Sequence, residues 1–410
     1  MGQLKSGGIE VDFEGRIGKA GTVVINTCGF INDAKEESID TILQYIDAKE
    51  KGKIDRVYVM GCLSERYIGD LKKEIPDVDK YFGVNNMQDV VNELGVDYKT
   101  ELIGERKLTT PRHYAYLKIS EGCDRRCTFC SIPAIRGKHR SRPQEEIVAE
   151  TRRLVARGVK EVMLIAQDLT YYGIDLYKEN RFAKLLTSLS DIRGLEWIRL
   201  HYAYPAGFPL DVLDLIAERS NICSYIDMPI QHINNRILAL MQRGHTQEGT
   251  LNLLNKIRHI IPDASLRTTL IVGFPGETDE EFNELLRFVE EFKFHRLGVF
   301  AYSHEDGTTA YKLKDTLPAE VKQQRLDRLM EVQQNISLRY NEEKVGKVLK
   351  VMIDRKEGDY YIGRSEYDSP EVDNEVIIDS PETDIKTGYF YPVKIHKADY
   401  FDLYGTISQI

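Results

Sequence analysis

The chain has 410 residues, 42% hydrophobic and 30% charged, with a formal net charge of −9 at pH 7. At about 150 residues per domain this length predicts two or three domains. Apolar runs are a few residues long, such as 162–166, and Asp12, Glu14, Arg16 and Lys19 interrupt the start, so neither a membrane-spanning helix nor a secretory signal is predicted. Collagen-like, disordered and membrane classes are excluded, and the expected compartment is the cytoplasm.

Residues 1–104 carry 13 basic and 19 acidic side chains, residues 105–340 carry 34 and 31, and residues 341–410 carry 9 and 15. A module that grips RNA must neutralise phosphates with Lys and Arg, so the acidic flanks argue against RNA binding as the main role. Simple solubility is the competing explanation. Six cysteines are too few for a disulfide scaffold. Cys28, Cys62 and Cys223 stand apart, whereas Cys123, Cys127 and Cys130 fall within eight residues.

In chain order, a β-rich run at 22–27 ends at Cys28, a helix is predicted over 33–49, and a buried strand over 56–60 ends at Gly61-Cys62. Both cysteines sit just past a strand's C-terminal end, where open α/β sheets place ligands. Strands follow at 113–119, 160–166, 196–202, 225–229, 265–272 and 297–302, separated by helices at 144–157, 182–192, 210–219, 246–261 and 279–292. Such alternation predicts right-handed βα units and a parallel sheet covered on both faces. Six strands fall short of the eight of a closed barrel. A helix over 318–340 leaves this module, and short period-two runs at 348–353, 360–365, 376–378, 391–396 and 403–407 predict a small barrel. The expected class is α/β: an N-terminal α/β domain (1–104), a central partial (β/α)6 barrel (105–340) and a small C-terminal antiparallel β-barrel (341–410).

The chemistry is carried by Glu121-Gly-Cys123-Asp-Arg-Arg-Cys127-Thr-Phe-Cys130. Three thiolates on a short loop suit one corner of a cuboidal iron–sulfur cluster. Structural zinc is the competing reading, but it wants four ligands, usually as two spaced pairs, and no fourth has that spacing here. Three ligands leave one iron of a 4Fe-4S cluster open to chelate a small molecule.

The spacing Cys123-x3-Cys127-x2-Cys130 resembles the signature of the radical S-adenosylmethionine (SAM) enzymes, whose fold is a partial βα barrel. The resemblance implies that these cysteines hold a 4Fe-4S cluster whose open iron binds the amino and carboxylate groups of SAM. One electron then cleaves SAM to methionine and a 5′-deoxyadenosyl radical. It places Phe129 near the adenine and makes Gln167, in Ala166-Gln167-Asp168 where many members have Gly-Gly-Glu, a candidate for the amino group. Gly273 allows close backbone approach, by SAM or by the next helix.

A narrower resemblance covers almost the whole chain. Ile25-Asn-Thr-Cys28, Met60-Gly-Cys62, Arg136-Gly-Lys-His-Arg-Ser-Arg-Pro143, Asp227-Met-Pro-Ile-Gln-His232, Thr269-Leu-Ile-Val-Gly-Phe-Pro-Gly-Glu277 and the terminal barrel are similar to the methylthiotransferases. That family has an N-terminal domain with three cysteines for an auxiliary 4Fe-4S cluster, a radical-SAM core and a TRAM barrel. Cys28 and Cys62 are the implied auxiliary ligands. The family's first ligand stands in a Leu-Gly-Cys segment that would precede Met1, so the third thiolate is expected to be missing and the auxiliary cluster incomplete. Cys123-Asp-Arg-Arg-Cys127, Ala166-Gln-Asp-Leu-Thr170, Tyr302-Ser-His-Glu-Asp-Gly307 and 354–365 are most similar to the branch that methylthiolates the β-carbon of an aspartate in ribosomal small-subunit protein twelve. SAM would then be radical source and methyl donor, with an electron donor and a sulfur source as further partners. Two alternatives stay open: the branch that modifies a transfer-RNA adenosine, and a non-catalytic ribosome- or nucleic-acid-binding iron–sulfur protein.

Among the remaining residues, Cys223 reads as core, and His232, His245 and His304 read as structural. The basic run Arg136, Lys138, His139, Arg140, Arg142 reads as solvated surface or as a guide for an anionic substrate. The acids Glu366, Asp368, Glu371, Asp373 and Glu375 are expected to form an exposed face that docks a basic ribosomal protein.

Overall fold

The computed structural model describes residues 1–15, 17–99, 108–379 and 385–408. The expected boundary at 104/105 lies outside the described residues.

After a short helix α1 (Gly2–Ser6), the N-terminal module is a three-stranded parallel sheet in the order β1 (Thr22–Thr27), β2 (Arg56–Gly61), β3 (Lys80–Tyr81). Its helices are α2 (Asn32–Glu50), α3 (Cys62–Glu74) and α4 (Met87–Glu93). Ile42 and Ile46, four apart on α2, meet Val57 and Val59 of β2 in a common core, which is why an otherwise polar helix seats there.

In the central module, β4 (Tyr114–Lys118) leads into a small antiparallel pair, β5 (Ser120–Glu121) and β6 (Arg140–Ser141), which brackets the cysteine loop and α5 (Ile132–Arg136). Helix α6 (Gln144–Ala156), β7 (Glu161–Ile165), α7 (Ile174–Tyr177), α8 (Phe182–Ser190), β8 (Trp197–Leu200), α9 (Asp211–Glu218) and β9 (Ile222–Asp227) follow. Helix α10 (Asn235–Leu240), α11 (Gln247–Ile260), β10 (Ser265–Val272), α12 (Asp279–Phe292), β11 (Arg296–Ala301) and α13 (Ala319–Glu342) complete it. The six long strands lie in chain order across one parallel sheet, with β4 and β11 at its edges, so the barrel is partial as expected. Alternate residues on each strand (Ala115, Leu117, Val162, Leu164, Leu270) bury against the helices, and the intervening ones face the concave side. Helix α12 shows why these crossovers are helical: Thr278 and Glu281 form a reciprocal N-terminal cap, and Phe282, Leu285, Leu286 and Val289 line the buried stripe.

Strands β12 (Val348–Glu357), β13 (Tyr360–Arg364), β14 (Val376–Asp379), β15 (Phe390–Ala398) and β16 (Leu403–Ile407) close a barrel in the order β12-β13-β14-β16-β15. One pairing departs from the antiparallel expectation: β14 and β16 run parallel. The long connection between them, carrying β15 across the barrel, removes the constraint of a hairpin.

Part of the acidic stretch of this barrel turns inward, which corrects the expectation of a wholly exposed face, although Glu371 stays exposed. Asp368 accepts Arg296 at 2.5 Å, Asp373 accepts the Tyr225 hydroxyl at 2.7 Å and Arg267 at 3.3 Å, and Glu371 accepts the hydroxyls of Tyr114 and Tyr116 at 3.3 and 3.4 Å. Glu366 accepts the Ser224 amide at 3.2 Å, and Glu375 pairs with Arg355 at 2.5 Å. The cause lies in the concave face, where Arg199, Arg267 and Arg296 project into low dielectric and require countercharge. The loop after β13 supplies much of it.

At the foot of this contact Glu161 is fully buried between Arg364 (2.5 Å) and Arg199 (2.9 Å). Burial pushes its carboxyl up, but the two guanidiniums outweigh burial and hold it down at about 2. A carboxylate held below its unfolded value contributes stability above that value and loses it as pH falls through the folded value. Thermal unfolding should therefore show this contribution retained at pH ~5 and vanishing toward pH ~2. Arg364→Met, which leaves Glu161 with one partner, is expected to destabilise the protein by about 3 kcal/mol.

Candidate active site at the cysteine loop

Cys123, Cys127 and Cys130 stand on the loop between β5 and α5, at the C-terminal mouth of the sheet. The Arg125 amide donates to Cys123 Sγ at 3.4 Å, and the Cys130 amide donates to the Cys127 carbonyl at 3.1 Å, which tightens the loop. Arg243 Nη1 donates to Cys127 Sγ at 3.3 Å. Burial pushes the thiols of Cys123 and Cys130 up, to about 11 and about 12. Among the described residues no three His, Cys, Asp or Glu side chains converge on a single-ion position. A lone tetrahedral zinc needs such convergence; three soft sulfurs spread along one loop fit a cuboidal cluster, whose ligands sit on separate irons.

Gln167 lies beside this loop. Its Nε2 donates to Glu121 Oε1 at 3.2 Å, while its Oε1 is buried without a partner, an acceptor that suits a bound ammonium. Phe129 is half-buried and packs with the apolar cluster of Ile237, Phe274 and Tyr302. Gly273 has φ of +71°, and a Cβ there would come within 2.4 Å of Lys322 Cγ on α13. The close neighbour is α13 and not the next helix, α12, and the positive φ itself favours glycine. Glu277 closes the same turn by accepting the Phe274 amide at 3.1 Å and Arg325 at 2.9 Å.

A cavity of about 300 Å³ opens at the C-terminal ends of β4, β7, β8 and β9, with Gln167, the partner of Glu121, on its wall. Gln167, His201, Asp227 and Arg267 line it from the sheet, and Pro370 and Val372 reach in from the terminal barrel. His201 Nε2 and Ser369 Oγ, 3.0 Å apart, tie that barrel loop to the wall. Sequence reasoning missed this contribution, because nothing in local pattern signals which loop a distant module inserts.

Cys28 and Cys62 are neighbours in space, since β1 and β2 pair with Thr27 opposite Gly61. Gly29 and Gly61 make room: a Cβ on Gly29 would lie 2.6 Å from Leu63 backbone, and one on Gly61 would lie 2.4 Å from the Thr27 carbonyl oxygen. Arg136 joins this pair to the central module, donating to Cys62 Sγ at 3.4 Å and to Glu121 Oε1 at 3.1 Å. The basic run is mostly engaged internally: Arg142 pairs with Glu150 at 2.8 Å and His139 is buried beside Ser141, while Lys138 stays exposed. Cys223 is core as expected, packed with Trp197, Tyr225 and Met352. His232 is buried, accepting the Asn234 amide; His245 bonds Thr250, and His304 stacks on Tyr311.

The segment 302–307 acquires a role that the sequence did not assign. Glu305 pairs with Lys35 at 2.7 Å, and Asp306 takes Arg66 at 3.1 Å and the Tyr67 hydroxyl at 2.6 Å, clamping the N-terminal module over the mouth.

Comparison with known proteins agrees with this architecture. The radical SAM superfamily model matches residues 117–289, the TRAM domain model residues 345–407, and the model of uncharacterized protein family UPF0004 residues 1–83. The fold is similar to that of the radical S-adenosylmethionine methyltransferase TsrM from Kitasatospora setae, with TM-score 0.54 and 14% identity over 83% of this chain and 68% of that one. The chain is thus a radical SAM enzyme, a class that uses a 4Fe-4S cluster and SAM. Proteins named ribosomal protein uS12 methylthiotransferase RimO match throughout: 55% identity in Cytophaga hutchinsonii, 56% in Flavobacterium johnsoniae and 52% in Bacteroides thetaiotaomicron, covering 99% of this chain and 93 to 94% of theirs. The chain belongs to this family of radical SAM methylthiotransferases. No helix among the described residues is long and apolar enough to cross a membrane.

Gly61 has φ of +109° and ψ of −163°, a region essentially reserved for glycine. Gly61→Ala is expected to destabilise the N-terminal module by about 1–3 kcal/mol. Hydrogen exchange at 22–27 and 56–61 should accelerate selectively, with the central sheet unaffected.

Proposed function

We propose that this enzyme methylthiolates the β-carbon of an aspartate in ribosomal protein uS12. The observation that carries the reading is the similarity, over almost the whole chain, to proteins named for that activity, joined to a three-cysteine loop whose first residues are tied through Glu121 to Gln167 on the wall of a cavity. Cys123, Cys127 and Cys130 hold the 4Fe-4S cluster; with SAM bound, that cluster supplies a carbon-centred radical, and SAM also supplies the methyl group. Gln167 Oε1 receives the SAM amino group, and Phe129 with the turn at Gly273 forms the apolar side of the site. Cys28 and Cys62 are ligands of an auxiliary 4Fe-4S cluster. Arg136 holds that site against Glu121, so both cysteine sites share one mouth. The modules divide near 104 and 340, the enzyme works in the cytoplasm, and an external electron donor reduces it. Among the chain's own residues, Ser369, Pro370 and Val372 of the barrel loop help to wall the cavity, and Lys118 and Arg267 in its lining suit one acidic side chain inserted from a protein segment.

The test uses anaerobically reconstituted protein with SAM, dithionite, inorganic sulfide as the sulfur source and uS12. The expected product is uS12 heavier by one methylthio group, with 5′-deoxyadenosine released. Replacing Cys123, Cys127 and Cys130 together by alanine should abolish both. Retained SAM cleavage in that variant would refute the ligand assignment, and modification of transfer RNA in place of uS12 would refute the substrate.

A further inference from the structure

Five arginines are buried among the described residues: Arg199, Arg243, Arg296, Arg325 and Arg364. Four face carboxylates, since Arg199 and Arg364 share Glu161, Arg296 meets Asp368 and Arg325 meets Glu277. Arg243, only 5% exposed, forms no ion pair with a carboxylate among the described residues. Its Nη1 donates to Cys127 Sγ at 3.3 Å, its Nη2 donates to the Pro229 carbonyl at 2.5 Å, and its Nε is buried without an acceptor. The guanidinium lies 4.3 Å from the ring centroid of Tyr204, whose hydroxyl donates to the Arg243 carbonyl and stands 3.8 Å from Cys127 Sγ. Arg125 packs on the same ring at 4.0 Å, but Asp168 neutralises it at 2.8 Å.

A buried guanidinium without a countercharge is expensive, and arginine does not escape by losing its proton. The polypeptide gives every other buried arginine a carboxylate and gives this one a cysteine sulfur. We infer that Arg243 is the built-in countercharge of the cluster held by Cys127, a positioning residue that makes the cluster easier to reduce. The inference rests on the ligand assignment proposed above. Three thiolates make such a cluster anionic, and an added electron deepens that charge. A fixed cation beside one sulfur, with little water to screen it, favours the reduced form. One electron enters from the reductant; no bond at Arg243 forms or breaks, and no proton leaves it.

The test reconstitutes the full chain in a Cys28→Ala, Cys62→Ala background, so that one cluster is titrated. Dithionite with redox mediators reduces it, and electron paramagnetic resonance reads the reduced form. Arg243→Gln keeps hydrogen-bond donors without charge, and Arg243→Lys keeps charge. The Gln variant is expected to be at least tenfold harder to reduce, a midpoint about 59 mV more negative for one electron, and the Lys variant should recover most of that. Cluster-free protein should show the opposite sign: Arg243→Gln unfolds at the same or a higher temperature, because an uncompensated charge is gone. An unchanged midpoint in the Gln variant, equal losses in both variants, or strong destabilisation of the cluster-free Gln chain would each overturn the inference. Failure of the parent chain to bind any cluster would instead overturn the ligand assignment, and the inference with it.

Discussion

Glu161 begins β7 with no solvent contact, and the terminal barrel is joined to the sheet through it. Arg199 comes from the sheet and Arg364 from the barrel, and neither guanidinium has bulk water to stabilise it. Remove the barrel and a concave face bearing Arg199, Arg267 and Arg296 loses Arg364, Asp373 and Asp368 together. Such buried ionic contacts are costly when half-made, so they tolerate one relative placement of the two modules and penalise others. The barrel is therefore a fixed part of the central module's floor. The cavity inherits that rigidity, because the loop that neutralises the arginines also supplies Pro370 and Val372 to its wall.

The opposite end is organised by the same chemistry. Glu121 accepts Arg136, Gln167 and Lys118, and Arg136 reaches on to Cys62. A single carboxylate thus sets the distance between the N-terminal cysteine pair and the side chain proposed for SAM. Glu305 and Asp306 then hold α2 and α3 from the far edge of the mouth through Lys35 and Arg66. Three modules meet around one opening, and charge makes much of each junction, with an apolar patch of Trp197, Cys223 and Tyr225 against Met352 and Phe390 where the barrel seats.

That explains what was legible in the sequence. Hydrophobic periodicity reports the contacts between a helix and its own sheet, so the six central strands and the closing β-barrel could be placed from alternation alone. The spacing of Cys123, Cys127 and Cys130 is local, and it survives translation into structure as a single loop. Junction residues carry no such period. Glu366, Asp368, Glu371, Asp373 and Glu375 read as a solvated acidic face because a sequence gives their sign and not their partners. The partners sit on β4, β9, β10 and β11 and, for Glu375, on β12; Tyr114 is 257 positions from Glu371. The parallel pairing of β14 with β16 escaped for the same reason, being a property of how the chain returns after β15. Cys28 and Cys62 were placed correctly at strand ends, while Arg136, which binds Cys62, read as part of a basic surface.

Two of the seven non-glycine residues with positive φ among the described residues stand where these junctions meet the cavity. Tyr202, which follows β8 at the lip, and Glu371, at the tip of the barrel loop, both lie in the left-handed region, with φ of 65° and 71°. For residues with a Cβ this costs roughly 1–2 kcal/mol each, and it persists only where surrounding contacts over-determine it. The contacts are on hand: the Tyr202 amide donates to Asp227 at 3.2 Å, and Glu371 is held by two tyrosine hydroxyls from β4. Asp227 is itself fixed by Arg267, which Asp373 of the barrel loop also grips. Lip and floor are thereby coupled through one arginine, Arg267. A change in how the terminal barrel seats must be felt at Tyr202, so the shape offered to the substrate is a property of the assembled modules and of no module alone.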